Sequence, residues 1–282
     1  MISIIIPAHN EESVIRRGLH AVLDGASPGE LEVIVVCNGC SDATAALARE
    51  FAPAVQVIET DVASKSNALN LGDEAAHGFP RIYMDADVVM DIASIRKLAD
   101  ALRGPTVMAA APRVETLFSP DCDWSVRAFY DFWMDLPFVK DGMMAAGVYA
   151  VSEAGRARFG RFPDIIADDG FCRLQFTPVE RIEVADAVSR VTAPSRFADL
   201  VKIRTRSRLG VHQLQARYPE LFAAERKAKR YGHTLGHILS RPDLYVPAVP
   251  FIAVSVISRL RAGRQKRAVG DYVWERDNSS RL

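Results

Sequence analysis

Short apolar runs alternating with helix-length stretches over the first 112 residues constrain this chain more than any other feature. Ile2–Ile6, Leu31–Val36, Val55–Ile58, Arg81–Met84 and Val107–Ala111 are runs dominated by apolar residues. Between them lie Glu11–Leu23, Asp42–Phe51, Ser64–Ala76 and Ile92–Leu102. In the first of these, Val14, Ile15, Leu19, Val22 and Leu23 recur at helical spacing. Strands that are apolar without alternation are covered on both faces, and strands separated by helices form parallel sheets. The expected class is therefore α/β, a Rossmann-like and mostly parallel sheet with helices on both faces. Such sheets bind ligands beyond the carboxyl ends of their strands. Pro7–Glu12, Cys37–Asp42 and Asp85–Asp87 are then the segments where chemistry is expected.

After residue 112 the pattern weakens. Asp121–Leu136 reads as an aromatic-rich helix (Trp124, Phe129, Tyr130, Phe132, Trp133), Met143–Val151 as a strand, Asp164–Gly170 as an acidic loop and 196–232 as basic helix. Charge divides in the same place. The 35 Lys and Arg balance 35 Asp and Glu overall, but residues 196–282 hold 18 of the former and 7 of the latter. That leaves 17 and 28 for residues 1–195, so the net zero is about −11 against about +11. An acidic domain over 1–195 and a basic helical extension over 196–282 are expected, the first suited to cations and the second to anions. With 49% hydrophobic and 25% charged residues the chain is neither disordered nor fibrous, and four cysteines in 282 residues exclude a disulfide scaffold.

Asp85-Ala86-Asp87 follows an apolar run, and in an extended segment residues i and i+2 point the same way. Two carboxylates so placed suit Mg²⁺ or Mn²⁺, which commonly share their coordination with substrate phosphates. A helix cap is the alternative reading of the same residues.

Four segments in order carry a family resemblance. Pro7-Ala8-His9-Asn10-Glu11-Glu12, Asn38-Gly39-Cys40-Ser41-Asp42-Ala43-Thr44, Lys65 with Ala68-Leu69-Asn70 and Gly72, and Asp85-Ala86-Asp87 together resemble the family 2 glycosyltransferases of the GT-A fold. Gly147–Ser152 and Asp168-Asp169 extend the likeness to about residue 170. The resemblance implies an inverting, metal-dependent transfer of a sugar from a nucleoside-diphosphate sugar to an acceptor hydroxyl. It implies a nucleotide-sugar-binding part over about 1–112 and an acceptor and base region over about 113–195. Pro7, Ala8, His9, Asn10, Glu11, Asn38 and Lys65 would line the nucleotide-sugar pocket, with Asp85 and Ala86 beside the donor. Asp87, with Asp85, would hold Mg²⁺ or Mn²⁺. Asp169 would be the general base, with Asp168 as its partner or as a helix cap. Asn38 stands where many members have Asp, which leaves the base of the nucleotide open.

Arg204 and Arg208 share one helix face and are candidates for a donor or lipid-linked phosphate, or for a solvated basic face. The chain lacks the Gln-x-x-Arg-Trp motif of that family's processive synthases. His212 is a candidate third metal ligand or a structural histidine. The aromatic helix is expected to be core, with an acceptor-docking role as the alternative.

Leu244–Ile257 is apolar, about 14 residues long, contains Pro247 and Pro250, and precedes Arg259, Arg261, Arg264, Lys266 and Arg267. It is shorter than the roughly 20 residues of a span. The expectation is an interfacial segment attracted to an anionic membrane surface, or else a docked core helix. Met1–Glu12 shows no basic region followed by a long apolar stretch, so a cytoplasmic enzyme, peripheral at the inner membrane face, is expected. The implied partners are a nucleoside-diphosphate sugar and a glycan or lipid-linked acceptor in surface polysaccharide or glycolipid synthesis; no nucleic acid is expected. Two rivals remain. A sugar-1-phosphate nucleotidyltransferase would open with a Gly-rich phosphate loop, and Pro7–Glu12 contains no Gly. Cys37-x-x-Cys40, after a strand and before a helix, is the setting of a thioredoxin-like redox pair.

Overall fold

A computed structural model describes residues 1–136, 147–222 and 241–265. The chain forms two compact units. The first comprises Met1–Glu115, Asp168–Val191 and the described part of 143–164; the second comprises 116–136, Ile165–Ala167 and the described residues after Thr192. The units interleave along the sequence, so the aromatic helix groups with the C-terminal helices and Asp168-Asp169 with the sheet.

The first unit is built on β1 (Ile2–Ala8), β2 (Leu31–Asn38), β3 (Val55–Thr60), β4 (Arg81–Met84), β5 (Val89–Met90), β6 (Ala109–Leu117), β7 (Val148–Val151) and β8 (Arg181–Thr192). Their order across the sheet is β3-β2-β1-β4-β7-β6-β8-β5. β1 runs parallel to β2 and β4, and β2 to β3, with Ile5 facing Ile34 and Tyr83. β7 joins β4 and β6 antiparallel, as β5 joins β8. The parallel character thus belongs to the half whose strands were legible as apolar runs. β5 and β8 were not expected.

Helices α1 (Ile15–Leu23), α2 (Thr44–Arg49), α3 (Lys65–Ala75) and α4 (Ile92–Ala101) cover the parallel half. Ile15, Leu19 and Val22 of α1, Ala45 and Ala48 of α2, and Ile95 and Leu98 of α4 pack with Ile4, Ile6, Val33 and Val35 in one core. The alternate residues meet α3, where a Cβ on Gly72 would stand 2.5 Å from Ile5 Cγ2 and 3.2 Å from Val36 Cγ2. Helices therefore lie on both faces. Capping fixes two helix starts: Asn67 N–H donates to Ser64 Oγ (3.2 Å) and Ser94 N–H to Asp91 Oδ1 (2.8 Å).

Further helices among the described residues include α5 (Trp124–Asp135), α6 (Glu153–Arg156), α7 (Asp168–Leu174), α8 (Phe197–Arg217) and α9 (Tyr245–Gln265). Asp164–Gly170 is thus not a loop throughout, because Asp168 and Asp169 already form the first turn of α7. In the second unit α5, α8 and α9 pack around Val126, Phe129, Leu200, Val201 and Val254. Phe129 and Phe132 are buried, as the core reading of the aromatic helix expected, whereas Trp124 is exposed. Of the expected helix over 196–232, Phe197–Arg217 and, after a break at Tyr218, 219–222 are helical, and 223–232 lies outside the described residues. So do 143–146 of the expected strand, and Lys266 and Arg267.

Candidate active site

The carboxyl ends of β1 and β2 carry two loops that hold each other. Asn38 is buried and its Nδ2 donates to Ala8 O (2.8 Å), while His9 Nδ1 lies 2.5 Å from Asn38 O. Asn10 adopts a left-handed conformation (φ 54°), which its short amide tolerates, and its Oδ1 accepts from Ser41 N (2.7 Å). Glu11 N–H donates to Thr44 Oγ1 (2.7 Å), Glu12 N–H to Asp42 Oδ2 (3.2 Å) and Ala43 N–H to Glu12 Oε2 (3.0 Å). Pro7, Ala8, His9, Asn10, Glu11 and Asn38 are therefore brought together. Pro7, Ala8 and Glu11 are buried, and His9 and Asn10 half-buried.

The Cys37–Cys40 pair lies in the same place. Asn10 N–H points to Cys40 Sγ (3.3 Å) and the thiol faces Ala8 O (3.4 Å). A hydrogen bond from Cys37 lowers the Cys40 thiol to about 6. Both cysteines are free thiols.

Asp85-Ala86-Asp87 is a turn rather than an extended segment: Val88 N–H donates to Asp85 O (3.1 Å) and Asp85 N–H to Gly147 O (2.7 Å). The alternation argument for the two carboxylates therefore does not apply; what the two residues share is the turn. Its neighbours press close. Gly147 has φ 80°, and a Cβ there would stand 2.8 Å from Val88 Cγ2 and 3.4 Å from Asp85 Oδ2. Ala86 is buried and Asp87 half-buried.

Lys65, the first residue of α3, ties this turn to α7. Its Nζ lies 2.7 Å from Asp85 Oδ1 and 3.0 Å from Asp168 Oδ1. Burial alone would lower the Lys65 ammonium, but Asp168 and Asp85 outweigh it and raise it above its ordinary range. Lys65 is thus no solvated helix residue. Asp168 is buried and takes a second bond, from the Tyr149 hydroxyl at 3.0 Å. Asp169 accepts from Gly170 N–H (2.7 Å). Burial first, and then the neighbouring Asp168, push its carboxyl up to about 6, against an opposing pull from Lys65. Two adjacent carboxylates with different environments are the arrangement by which proteins separate a permanent anion from a proton acceptor. Tyr149 is the member that motif reading missed. It sits in the apolar run of β7, and only the fold shows that its hydroxyl meets Asp168.

Beneath this cluster Asp73 anchors the support. Its carboxylate accepts from Arg81 Nη1 (2.5 Å), Tyr83 Oη (2.6 Å) and Arg156 Nε and Nη2 (2.9 and 2.6 Å). Tyr83 in turn stacks on Tyr149, ring centroids 5.0 Å apart.

Arg204 and Arg208 belong to the second unit. The Arg204 guanidinium lies 4.5 Å above the Trp133 ring, and burial lowers it from its ordinary value. Arg208 Nε donates to Ser258 Oγ (2.8 Å). His212 is half-buried on α8. Among the described residues no group of three or more His, Cys, Asp or Glu is placed to hold a metal ion.

Residues 3–151 match the family described as "Glycosyl transferase family 2". A stretch of 94 residues is 37% identical to the probable glycosyltransferase YdaM of Bacillus subtilis, and one of 91 residues is 35% identical to the glycosyltransferase AglE of Haloferax volcanii. Each covers 30% of this chain, and the aligned parts are 22% and 30% of those proteins, so under a third of either relative's length is matched. Among solved structures, the mannosyltransferase PcManGT from Pyrobaculum calidifontis, in complex with GDP-Man and Mn²⁺, aligns with a TM-score of 0.61 and 21% identity, over 97% of this chain and 76% of that one. The glucosyl-3-phosphoglycerate synthase from Mycobacterium tuberculosis, in complex with Mn²⁺, UDP and glucosyl-3-phosphoglycerate, aligns at 0.52 and 20% identity, over 77% of this chain and 79% of that one. At such identities the likeness is one of fold, the GT-A arrangement of a mixed sheet flanked by helices. Because the family match takes in more than half of its length, with the Pro7–Glu12, Asn38–Thr44, Lys65 and Asp85–Asp87 segments all inside it, the chain belongs to glycosyl transferase family 2.

Proposed function

We propose that this protein transfers a sugar from a nucleoside-diphosphate sugar to an acceptor hydroxyl with inversion at the anomeric carbon. The observation that carries the reading is the Lys65 ammonium joining Asp85 to Asp168, with Asp169 raised to about 6 beside it, at the carboxyl ends of the parallel strands of the mixed sheet. The interlocked loops 7–12 and 38–44 supply the nucleoside pocket. Asp169 accepts the acceptor's hydroxyl proton while that oxygen attacks the anomeric carbon. The bond from that carbon to the donor diphosphate breaks, and its electron pair leaves with the nucleoside diphosphate. Asp168, anchored by Lys65 and Tyr149, holds α7 in register and keeps a negative charge next to the base, which favours proton uptake by Asp169.

Asp85 and Asp87 fit a divalent cation. Both are oxygen donors on one turn, and a pair of carboxylates leaves the other positions to diphosphate oxygens, the usual way Mg²⁺ and Mn²⁺ are held with phosphate substrates. When bound, such an ion neutralises charge on the leaving diphosphate. The two solved relatives named above are complexes with Mn²⁺, which supports this assignment. The proposed acceptor is a glycan or a lipid-linked hydroxyl, in the synthesis of surface polysaccharide or glycolipid on the cytoplasmic side, where nucleotide sugars are made. The apolar helix of the second unit supports this choice.

Thermal unfolding with Mn²⁺ and UDP, GDP or dTDP tests the reading. One nucleotide with Mn²⁺ should stabilise the protein by about 2.7 kcal/mol at a hundred times its Kd, and EDTA or Asp87→Asn should remove the metal-dependent part. The matching sugar donor should release nucleoside diphosphate, with product of inverted configuration by NMR. Release of pyrophosphate from a nucleoside triphosphate and a sugar-1-phosphate would select the nucleotidyltransferase rival instead, and no response to any pair would refute the proposal.

A further inference from the structure

Helix α9 is packed inside out. Its buried positions are Ala248, Pro250, Val254, Ser258 and Ala262, mostly small residues, with Val254, Ser258 and Ala262 fully covered; one large side chain, Phe251, also turns inward and packs on Phe129 and Phe132. Its outward positions are large and aliphatic: Val246 (69% exposed), Val249 (63%), Ile252 (57%), Val256 and Leu260 (60%), flanked by Tyr245 and Ile257. The outward set recurs every three or four residues and forms one continuous stripe. A helix designed for water places large aliphatics inward and polar residues outward. Small residues toward protein and large aliphatics outward is the pattern of helices that meet lipid.

We propose that this outer stripe docks on an anionic lipid bilayer, with α9 lying in the plane of the interface. Charge argues for the anionic surface. α9 contains no Asp or Glu, and its last two turns carry Arg259, Arg261 and Arg264, with Lys266 and Arg267 next in sequence. Aliphatic residues then enter the boundary between headgroups and chains while the arginines meet lipid phosphates. At about 31 Å, from a rise of 1.5 Å per residue, α9 is long enough to cross a bilayer. Its covered face excludes that orientation. It packs on α5 and on α8, which carries Lys202, Arg204, Arg206 and Arg208, charges that hydrocarbon does not accommodate. The helix is also longer than Leu244–Ile257. It runs unbroken through Pro247 and Pro250 to Gln265.

The inference stands apart from sugar transfer, so its test uses no donor. The full-length protein is mixed with vesicles of phosphatidylcholine alone, or of phosphatidylcholine with phosphatidylglycerol, and floated through a sucrose gradient. It should float with the anionic vesicles, less so as salt rises, and weakly with the neutral ones. Ile252→Glu with Val256→Glu should lower binding at least about tenfold, from lost apolar burial and added negative charge. Arg259→Ala and Arg264→Ala should each cost about fivefold on anionic vesicles alone. Ile252→Leu should bind as the parent does. All these side chains are exposed, so an unchanged circular dichroism spectrum is expected. Absence of flotation on either vesicle, or flotation unaffected by the double glutamate variant, overturns the proposal. A dimer in sedimentation that the same variant dissolves would make the stripe a contact between copies, and that also overturns it.

Discussion

Replacing Asp169 by Asn should make the protein more stable while abolishing turnover, and the gain should depend on pH in a defined way. The Asp169 carboxyl has an ordinary value of 3.8 and is raised to about 6 in the folded chain. A carboxyl raised on folding binds its proton more tightly in the folded state. Its contribution to stability is therefore complete below the unfolded value of 3.8 and is lost as pH rises through about 6. Linkage over these two values makes the ionised Asp169 cost about 1 kcal/mol at pH 4.5 and about 3 kcal/mol at pH 7.5. The amide does not titrate, and its oxygen can still accept from Gly170 N–H. The stability advantage of Asp169→Asn should thus grow by about 2 kcal/mol between those pH values. Urea unfolding followed by far-ultraviolet circular dichroism suits the measurement, because Trp124 and Trp133 both lie in the helical unit and would not report on the sheet. In the same window, wild-type turnover should fall as pH drops below about 6 and the base becomes protonated, by about thirtyfold between pH 7.5 and pH 4.5. An advantage that is flat with pH, or a variant that still turns over, would refute the assignment of Asp169 as a strained base.

Lys65→Met should destabilise the protein by about 3 kcal/mol at neutral pH, since it takes from the buried Asp168 its cationic partner and leaves the Tyr149 hydroxyl among the described residues; urea midpoints would show it, together with weakened nucleotide binding. Asp73→Asn, which strips the charge from a carboxylate serving Arg81, Tyr83 and Arg156 at once, should cost about 3–5 kcal/mol. A loss below about 1 kcal/mol would show that the network behaves as a surface pair.

The parallel half of the sheet was legible because strands buried on both faces leave continuous aliphatic runs such as ISIIIPA and LEVIVVCN. β8 was not, since RIEVADAVSRVT interleaves Arg181, Glu183, Asp186 and Arg190, and of its residues only Ala187 and Ser189 are buried. β5, at two residues, is below what any periodicity can register. The prolines of α9 misled for a local reason. Pro247 lies in the first turn, where its missing N–H has no helical partner, and Pro250 removes a single bond near the exposed start. Within the site, residue order singled out Lys65, Asp85, Asp168 and Asp169, but neither the turn at Asp85–Asp87 nor the hydroxyl of Tyr149 is a local property of the chain. Both follow from β7 lying beside β4.

The bonds between the β1 and β2 loops have a consequence for how such a protein changes over time. Each loop satisfies the other's backbone: Ser41 through Asn10, Ala43 through Glu12, Glu11 through Thr44. A substitution in one loop strands polar groups in its partner. Neither segment can drift alone, so if the two loops bind the nucleoside as proposed, a new nucleotide preference has to arise by paired exchanges across residues 7–12 and 38–44. Libraries that vary both segments together should yield altered specificity where single-site scans return only weakened proteins.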